Sequence, residues 1–331
     1  MVSTGVNGFG RFGLHLLKYW LDRRQSASFS IDYINDDSLT LQAAYDIINS
    51  DKFVRITDSY TVLFSGDSLS FEDEAGLRHT ILFSNVAKGQ IPWLGRPQLM
   101  LECSGKYCSA SLTRSDLIGE TRKVIISASV ADADQTVVVG FNHHDYDHKL
   151  QVYSYGSCII NAFLPLTDWL HQNYKIKDCD TTVIHNIPEY RIKQPGGDVL
   201  QRRSCSLEWM GPKLMPYLNS DNFTVLKTYV PYPGISMIDM RYRLASPPDT
   251  IGRLTEELQE AFAAGSLKAL YSFDKPGQTP ESHLNSTFSA TLRRDGLRFV
   301  GDNLYISCYF DNENSVNRYY DFVNIVATHP M

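Results

Sequence analysis

Asn7-Gly8-Phe9-Gly10-Arg11-Phe12-Gly13 is the stretch that decides the fold of this 331-residue chain. It matches Gly-x-Gly-x-x-Gly, a weak motif when it stands alone. Here the flanks agree with it. A strand-like run at 3–7 precedes it, and Phe12, Leu16, Leu17, Trp20 and Leu21 recur at helical spacing after it. A second strand-like run, 30–34, ends in Asn35-Asp36-Asp37. In a strand–turn–helix unit of this kind Gly8 makes the turn, with Phe9 at its tip. Gly10 lets a pyrophosphate approach the backbone, and Gly13 lets helix and strand pack closely. The phosphates sit on the positive helix N-terminus. Asp36 is placed to meet ribose hydroxyls and to repel a 2′-phosphate. No Arg or Lys follows it closely, so the expected cofactor is NAD rather than NADP.

Outward from this unit, residues 56–84 alternate polar and apolar around Gly66-Asp67 and Glu74-Ala75-Gly76, which predicts an antiparallel insertion. The short apolar runs 99–102, 123–127 and 136–140 suit buried parallel strands. The first half therefore reads as an open α/β sheet of Rossmann type. Near 157 the texture changes. Ser157 is placed to cap a helix reaching about 174, with a kink at Pro165. Strand-like runs follow at 181–185, 223–230 and 235–243. A helix is predicted at 250–264, with Ile251, Leu254, Leu258 and Phe262 on one face, then strands at 297–300 and 304–310. This is an α+β arrangement, a mostly antiparallel sheet with helices on one face. The expected division is a cofactor-binding domain at 1–157, with the terminal segment 315–331 packing back on it, and a catalytic domain at 158–314.

Hydrophobic content of 43% and charged content of 21% are those of a soluble globular chain. A net charge of −6 gives no nucleic-acid footprint. No apolar stretch approaches the ~20 residues that cross a bilayer, so no membrane partner is expected. No basic segment followed by an apolar core and cleavage site opens the chain, so a cytoplasmic, reducing location is expected. The six cysteines show no paired spacing and are expected to be free thiols. His143-His144 with His148 lacks supporting ligands, and no metal is expected.

Cys158 opens the apolar run Ser157-Cys158-Ile159-Ile160-Asn161, and His185 closes the strand-like 180–185. The plain reading of a lone Cys and a lone His is core packing. The functional reading is a nucleophile whose thiol is made acidic by the helix dipole, beside an imidazole base. Such a pair attacks an aldehyde, passes hydride to NAD and leaves a thioester on Cys158.

The motifs come in a telling order. Asn7 to Gly13 is close to NGFGRIG, Ile34-Asn35-Asp36 to IND, and Glu102-Cys103-Ser104-Gly105 to ECTG. Val124 to Ala128 matches VIISA, and Gly140-Phe141-Asn142-His143 is like GVNH. Ser157 to Asn161 is like SCTTN, and Asp311-Asn312-Glu313 with Asn317-Arg318 is like YDNE…SNR. The whole series resembles the phosphorylating glyceraldehyde-3-phosphate dehydrogenase family across nearly the full chain. The resemblance implies Cys158 as nucleophile and His185 as its base, 27 residues apart as the family has them. It implies that Arg11, Phe12, Asp36 and Ser127 contact the cofactor, that Asn312 binds the nicotinamide carboxamide, and that the chain forms a homo-oligomer. A tetramer is the family's form, and a dimer is the alternative left open by a shortened loop at 186–203.

The chain departs from the family where that family holds phosphate. Ile159 and Ile160 stand where two Thr are usual, Pro188 where a Thr follows the catalytic His, Tyr229 in place of an Arg, and Ser204-Cys205-Ser206 in place of Ser-Thr-Gly. The small-molecule aldehyde is therefore expected to differ from glyceraldehyde 3-phosphate and to rest against Ile159, Ile160, Tyr229 and Tyr232. Ser157 and Ser204 keep hydroxyls, and Arg191, Lys193, Arg202 and Arg203 lie on the altered loop. Two alternatives stay open: a glyceraldehyde-3-phosphate or erythrose-4-phosphate dehydrogenase whose phosphate sites are rebuilt from the loop arginines, and an NAD-binding regulatory or partner protein without catalysis.

Overall fold

The structure is a computed structural model that describes residues 1–331, the side chain of Tyr190 apart. The chain divides into two units. The first comprises 1–137, 142–156 and 316–331; the second comprises 138–141 and 157–315.

In the first unit β1 (Val2–Asn7) feeds the glycine loop and α1 (Arg11–Arg23), and β2 (Phe29–Asn35) returns parallel to β1. After α2 (Leu41–Ser50) come β3 (Tyr60–Ser65), β4 (Ser68–Asp73) and β5 (Arg78–Ser84). Then follow β6 (Leu99–Glu102), the short α3 (Ala110–Thr113), β7 (Lys123–Ile126), β8 (Gln135–Thr136) and β9 (Val152–Ser154). They form one nine-stranded sheet in the order β3-β4-β5-β2-β1-β6-β7-β9-β8. The antiparallel insertion is present as β3-β4-β5, and it is fused to the sheet because β5 runs parallel to β2, pairing Tyr33 with Leu82. The run 136–140 does not make a full strand. Extended pairing stops at Thr136, Gly140 takes a φ of +86°, and residues 138–141 belong to the second unit. The place beside β7 goes instead to β9.

Helix α1 buries Leu14, Leu16, Leu17, Trp20 and Leu21. The Trp20 indole N–H donates to the Phe29 carbonyl at 2.8 Å, so this large ring is buried with its polar atom satisfied. At the β1 and β6 ends Glu102 is buried but well held. It accepts from the Asn7 side chain at 2.8 Å and the Ser104 N–H at 2.9 Å, with Lys88 at 3.8 Å. Residues 316–331 also belong to this unit, where the Tyr319 hydroxyl donates to the Ile125 carbonyl at 2.7 Å.

The second unit begins its helical part with α4 (Cys158–Tyr174). It continues through β10 (Ile176–Asn186), α5 (Glu189–Ile192), β11 (Gln201–Arg203), α6 (Ser206–Leu214), β12 (Phe223–Val230), β13 (Ser236–Leu244) and α7 (Ile251–Ala263). β14 (Tyr271–Phe273), β15 (Ala290–Leu292), β16 (Arg298–Val300) and β17 (Asn303–Phe310) complete an eight-stranded sheet, and α8 (Asn312–Ala327) follows. The sheet is mostly antiparallel in the order β11-β12-β10-β13-β17-β15-β14, with β10 parallel to β12 and β14 parallel to β15. Helix α4 is buried from Cys158 through Thr167, where its sequence is mostly apolar, and only Leu170 and Tyr174 are buried beyond.

Pro165 lies inside α4 and cannot donate to the Asn161 carbonyl. The Tyr271 hydroxyl enters the gap: it lies 3.3 Å from the Asn161 oxygen and 3.0 Å from the Ala162 oxygen, and accepts the Leu166 N–H at 3.2 Å. A hydroxyl inserted beside a proline is an identifiable cause of helix irregularity. Thr250 caps α7 by accepting the Arg253 N–H at 3.1 Å. All six cysteines are free, and among the described residues no cluster of metal-ligating side chains is found. No helix is long and apolar enough to cross a membrane.

Candidate active site

The glycine loop has the local geometry its sequence asks for. Gly8 has a φ of +101°, and a Cβ there would lie 2.4 Å from the Ser104 backbone. A Cβ on Gly13 would meet the Gly8 carbonyl at 2.2 Å, so helix and loop touch backbone to backbone. Gly10 is different: a Cβ would meet nothing within 4 Å. It is extended, and no side chain caps α1 after it. An open glycine at an uncapped helix start is a cradle that fits a phosphate. Asp36 directly follows β2 and is half-buried, accepting the Phe9 N–H at 2.7 Å on one oxygen and the Ser38 and Leu39 N–H groups on the other. It therefore fixes the loop.

The remaining cofactor candidates are less uniform. The Arg11 guanidinium pairs with Asp51 and lies 5.4 Å from the Phe53 ring centroid, so its charge is already engaged. Phe12 is half-buried, edge-on to Tyr155 and Tyr319. Ser127 follows β7, its N–H donating to the Glu102 carbonyl at 2.9 Å. In the second unit Asn312 opens α8 with an exposed side chain that has no partner among the described residues.

In the second unit Cys158 and His185 are brought together. Ser157 is extended and caps α4, its Oγ accepting the Ile160 N–H, so Cys158 is the first helical residue. His185 lies near the end of β10. Its Nε2 is 3.7 Å from Cys158 Sγ, and its Nδ1 is 2.9 Å from the Asn186 carbonyl oxygen. A carbonyl only accepts, so Nδ1 carries the proton and Nε2 turns a lone pair toward the thiol. The carbonyl is itself steadied by its own residue. The Asn186 N–H donates to Ser236 Oγ at 3.1 Å, and that hydroxyl donates back to Asn186 Oδ1 at 2.8 Å. The imidazole is walled by Tyr229 and Phe310, with ring centroids at 5.5 and 5.8 Å.

Burial sets the charge state of this pair. The Cys158 thiol is pushed up to about 12, mainly by desolvation, with Lys227 opposing and Asp311 adding to the rise. His185 is pushed down to about 4, again by desolvation first; the Asn186 carbonyl opposes this and Lys227 reinforces it. This corrects the expectation of an acidic thiol at the helix start. A helix terminus contributes about 0.3–1 kcal/mol at an exposed site, up to ~2 kcal/mol when partly buried. Taking a thiolate out of water costs more. The resting pair is a neutral thiol facing a neutral imidazole.

The residues expected around the substrate separate on inspection. Ile159 and Ile160 are only 2% and 0% exposed and belong to the hydrophobic core. Tyr232 turns its hydroxyl to Glu281 at 2.9 Å. Lys193 pairs with Glu189 at 2.7 Å. Ser157 Oγ lies 3.2 Å from Ser206 Oγ, joining the starts of α4 and α6, while Ser204 is exposed and Cys205 buried. Strand register sorts the loop arginines. His185 pairs with Tyr229 and Tyr229 with Gln201; one step down, Val183 pairs with Lys227 and Lys227 with Arg203. Paired and alternate residues share a sheet face. Tyr229, Lys227 and Arg203 thus share the face of His185, and Arg202, paired with Thr228, points to the other. Sequence reasoning passed over Lys227 altogether.

No protein-family model matches the chain. Among curated proteins it is 25% identical, over 346 aligned positions, to glyceraldehyde-3-phosphate dehydrogenase 2 of Caenorhabditis briggsae, covering 98% of both chains. It is 26% identical over 353 positions to glyceraldehyde-3-phosphate dehydrogenase 3 of Caenorhabditis elegans, again with 98% of each chain covered. A cytosolic glyceraldehyde-3-phosphate dehydrogenase of Dianthus caryophyllus is 25% identical over 332 positions and 94% of each chain.

Proposed function

We propose that this chain, a divergent member of the glyceraldehyde-3-phosphate dehydrogenase family, oxidises an aldehyde with NAD through a thioester on Cys158. One observation carries the reading: Cys158 Sγ at the start of α4 lies 3.7 Å from a His185 Nε2 whose lone pair faces it. His185 Nε2 takes the thiol proton as Sγ bonds the carbonyl carbon and delivers it to the carbonyl oxygen, leaving a thiohemiacetal and a neutral imidazole. His185 then accepts the hydroxyl proton as the carbon gives up hydride, and a thioester remains on Cys158. Bound NAD supplies the hydride acceptor. Gly8, Gly10, Gly13 and Asp36 would hold its phosphates and ribose, and Asn312 its carboxamide. A second nucleophile releases the acyl group. A cytoplasmic homodimer or homotetramer completes the proposal.

The aldehyde is not expected to be glyceraldehyde 3-phosphate. With Tyr229 in place of a guanidinium, and Ile159, Pro188 and Cys205 in place of hydroxyls, a phosphate bound as the family binds it would lack charge-assisted donors. The penalty is roughly several kcal/mol, or about three decades of efficiency at ~1.4 kcal/mol per decade. One observation favours a second reading, NAD binding without efficient catalysis: burial keeps Cys158 a thiol. NADH formation from glyceraldehyde 3-phosphate and from non-phosphorylated aldehydes, with and without inorganic phosphate, separates these readings, with Cys158→Ala as control. Turnover with a non-phosphorylated aldehyde that disappears in Cys158→Ala supports the proposal. Efficient, phosphate-dependent turnover of glyceraldehyde 3-phosphate means the substrate is unchanged. Tight NAD binding with no turnover on any aldehyde leaves only the second reading.

A further inference from the structure

Lys227 is a half-buried cation on the His185 face of the second sheet, and among the described residues it has no acidic partner. Its Nζ lies 4.8 Å from the centroid of the Tyr229 ring, and the same ring meets His185 at 5.5 Å. The lysine side chain therefore reaches along the strand to the tyrosine ring that flanks the imidazole. Arg203, its neighbour across the β11–β12 ladder, leans on Tyr229 from 6.0 Å and also lacks an acidic partner among the described residues. Position 229 is where the family's arginine is lost. Position 227 is one strand period away, about 6.7 Å along the same face. The cation has moved along the strand rather than vanished.

We propose that Lys227 is the specificity-determining residue of the site, holding an anionic group carried by the aldehyde that reacts at Cys158. This rests on the aldehyde-oxidising reading and names its substrate class: an aldehyde with one anionic substituent, carboxylate or phosphate. A lysine is a compact point charge without the planar fork of arginine, so it accepts either anion without demanding two parallel hydrogen bonds. A half-buried ammonium set against an aromatic ring, with no carboxylate among the described residues to neutralise it, is suited to take up an anion. Its field already reaches the reacting groups, opposing the rise of the Cys158 and Cys205 thiols and adding to the fall of His185.

The test compares two alkylating reagents on the full chain, iodoacetate (anionic) and iodoacetamide (neutral), and reads the second-order rate at Cys158. Their ratio cancels any change in thiol acidity. Lys227→Met should lower the iodoacetate-to-iodoacetamide ratio about tenfold, the equivalent of ~1.4 kcal/mol, and Lys227→Arg should restore most of it. If Lys227→Met slows both reagents alike and leaves the ratio unchanged, the lysine only tunes the thiol and the proposal falls. A second arm measures protection of Cys158 from iodoacetamide by glyceraldehyde 3-phosphate, glyceraldehyde and inorganic phosphate. Stronger protection by the anionic than by the neutral aldehyde, lost in Lys227→Met, supports the proposal. Equal protection by inorganic phosphate alone means the cation serves a free anion and overturns it. Neither arm requires NADH formation, so failure of the oxidation reading is seen separately from failure of this one.

Discussion

Tyr271→Phe removes one oxygen atom, and the structure says what that atom does. The hydroxyl fills the break that Pro165 makes in α4, close to both the Asn161 and Ala162 carbonyl oxygens while accepting the Leu166 N–H. The residue is 1% exposed, so no water replaces it without rearrangement. Phenylalanine keeps the ring and its packing and removes the hydroxyl's bonds to the Leu166 N–H and to the nearby carbonyls. A buried polar group stripped of its bond costs about 1–3 kcal/mol. Leu166 can recover part of this by closing on Ala162, whereas Asn161 cannot, because residue 165 has no N–H. The expected loss is about 1.5–3 kcal/mol, read from the urea midpoint at constant slope. The same substitution should loosen the helix that carries Cys158, so iodoacetamide should reach the thiol faster in the variant than in the wild type. A loss below about 0.5 kcal/mol, with unchanged alkylation, would refute the reasoning: the helix would then be tolerating Pro165 without help.

Three further outcomes are expected. His185→Asn removes the lone pair that faces Sγ and should lower kcat by about 10²–10⁴-fold with little change in NAD affinity, measured by steady-state NADH formation and by titration calorimetry. Gly13→Ala drives a Cβ to 2.2 Å from the Gly8 carbonyl, which should cost about 1–3 kcal/mol and weaken NAD binding, while Gly277→Ala, also glycine but away from the loop, should leave NAD binding alone. Folding should depend on His185: its folded value is depressed from 6.5 to about 4, so its contribution is fully present above 6.5 and fades as pH falls toward 4. At 1.36 kcal/mol per pH unit the loss is at most about 3.4 kcal/mol, and a His185→Gln chain should show a flatter fall in urea midpoint across that window.

Much of the first sheet was legible because its strands carry local punctuation. The glycine loop announces β1, α1 and the turn between them, and the steric demands at Gly8 and Gly13 are those the motif encodes. The two misread places lack such marks. The apolar run Val137-Val138-Val139 looks like one strand, but pairing ends at Thr136 and Gly140 turns to positive φ. Its neighbour β9 is only Val152–Ser154, too short for a period to be counted, and its place beside β7 comes from non-local pairing. Pro165 was visible as a break in α4, but the tyrosine that fills it lies more than a hundred residues away.

The approach of Cys158 to His185 was legible for the same reason as the loop: a Ser cap fixes Cys158 at a helix start, and His185 lies at the end of an alternating strand. The charge state of the pair was not. A motif shows the helix dipole, which favours thiolate, but not the burial of Cys158 that outweighs it. Lys227 escaped for a more instructive reason. Comparison by motif asks what stands at position 229 and finds a tyrosine, so the anion site looks erased. A strand repeats its face every two residues, so a cation displaced by two still meets the same imidazole row, and position-by-position matching cannot see it. Which loop arginine joins that row was equally hidden, because it depends on β11 pairing Arg203 rather than Arg202 with Lys227. A one-residue slip of β11 would exchange the two arginines and leave every motif intact. On the proposed reading, then, the residues assigned to chemistry are set by local sequence, while those assigned to substrate choice are set by register. Substitutions that alter selectivity are therefore expected at 203, 227 and 229, on one face of two paired strands, rather than at the core-buried Ile159 and Ile160.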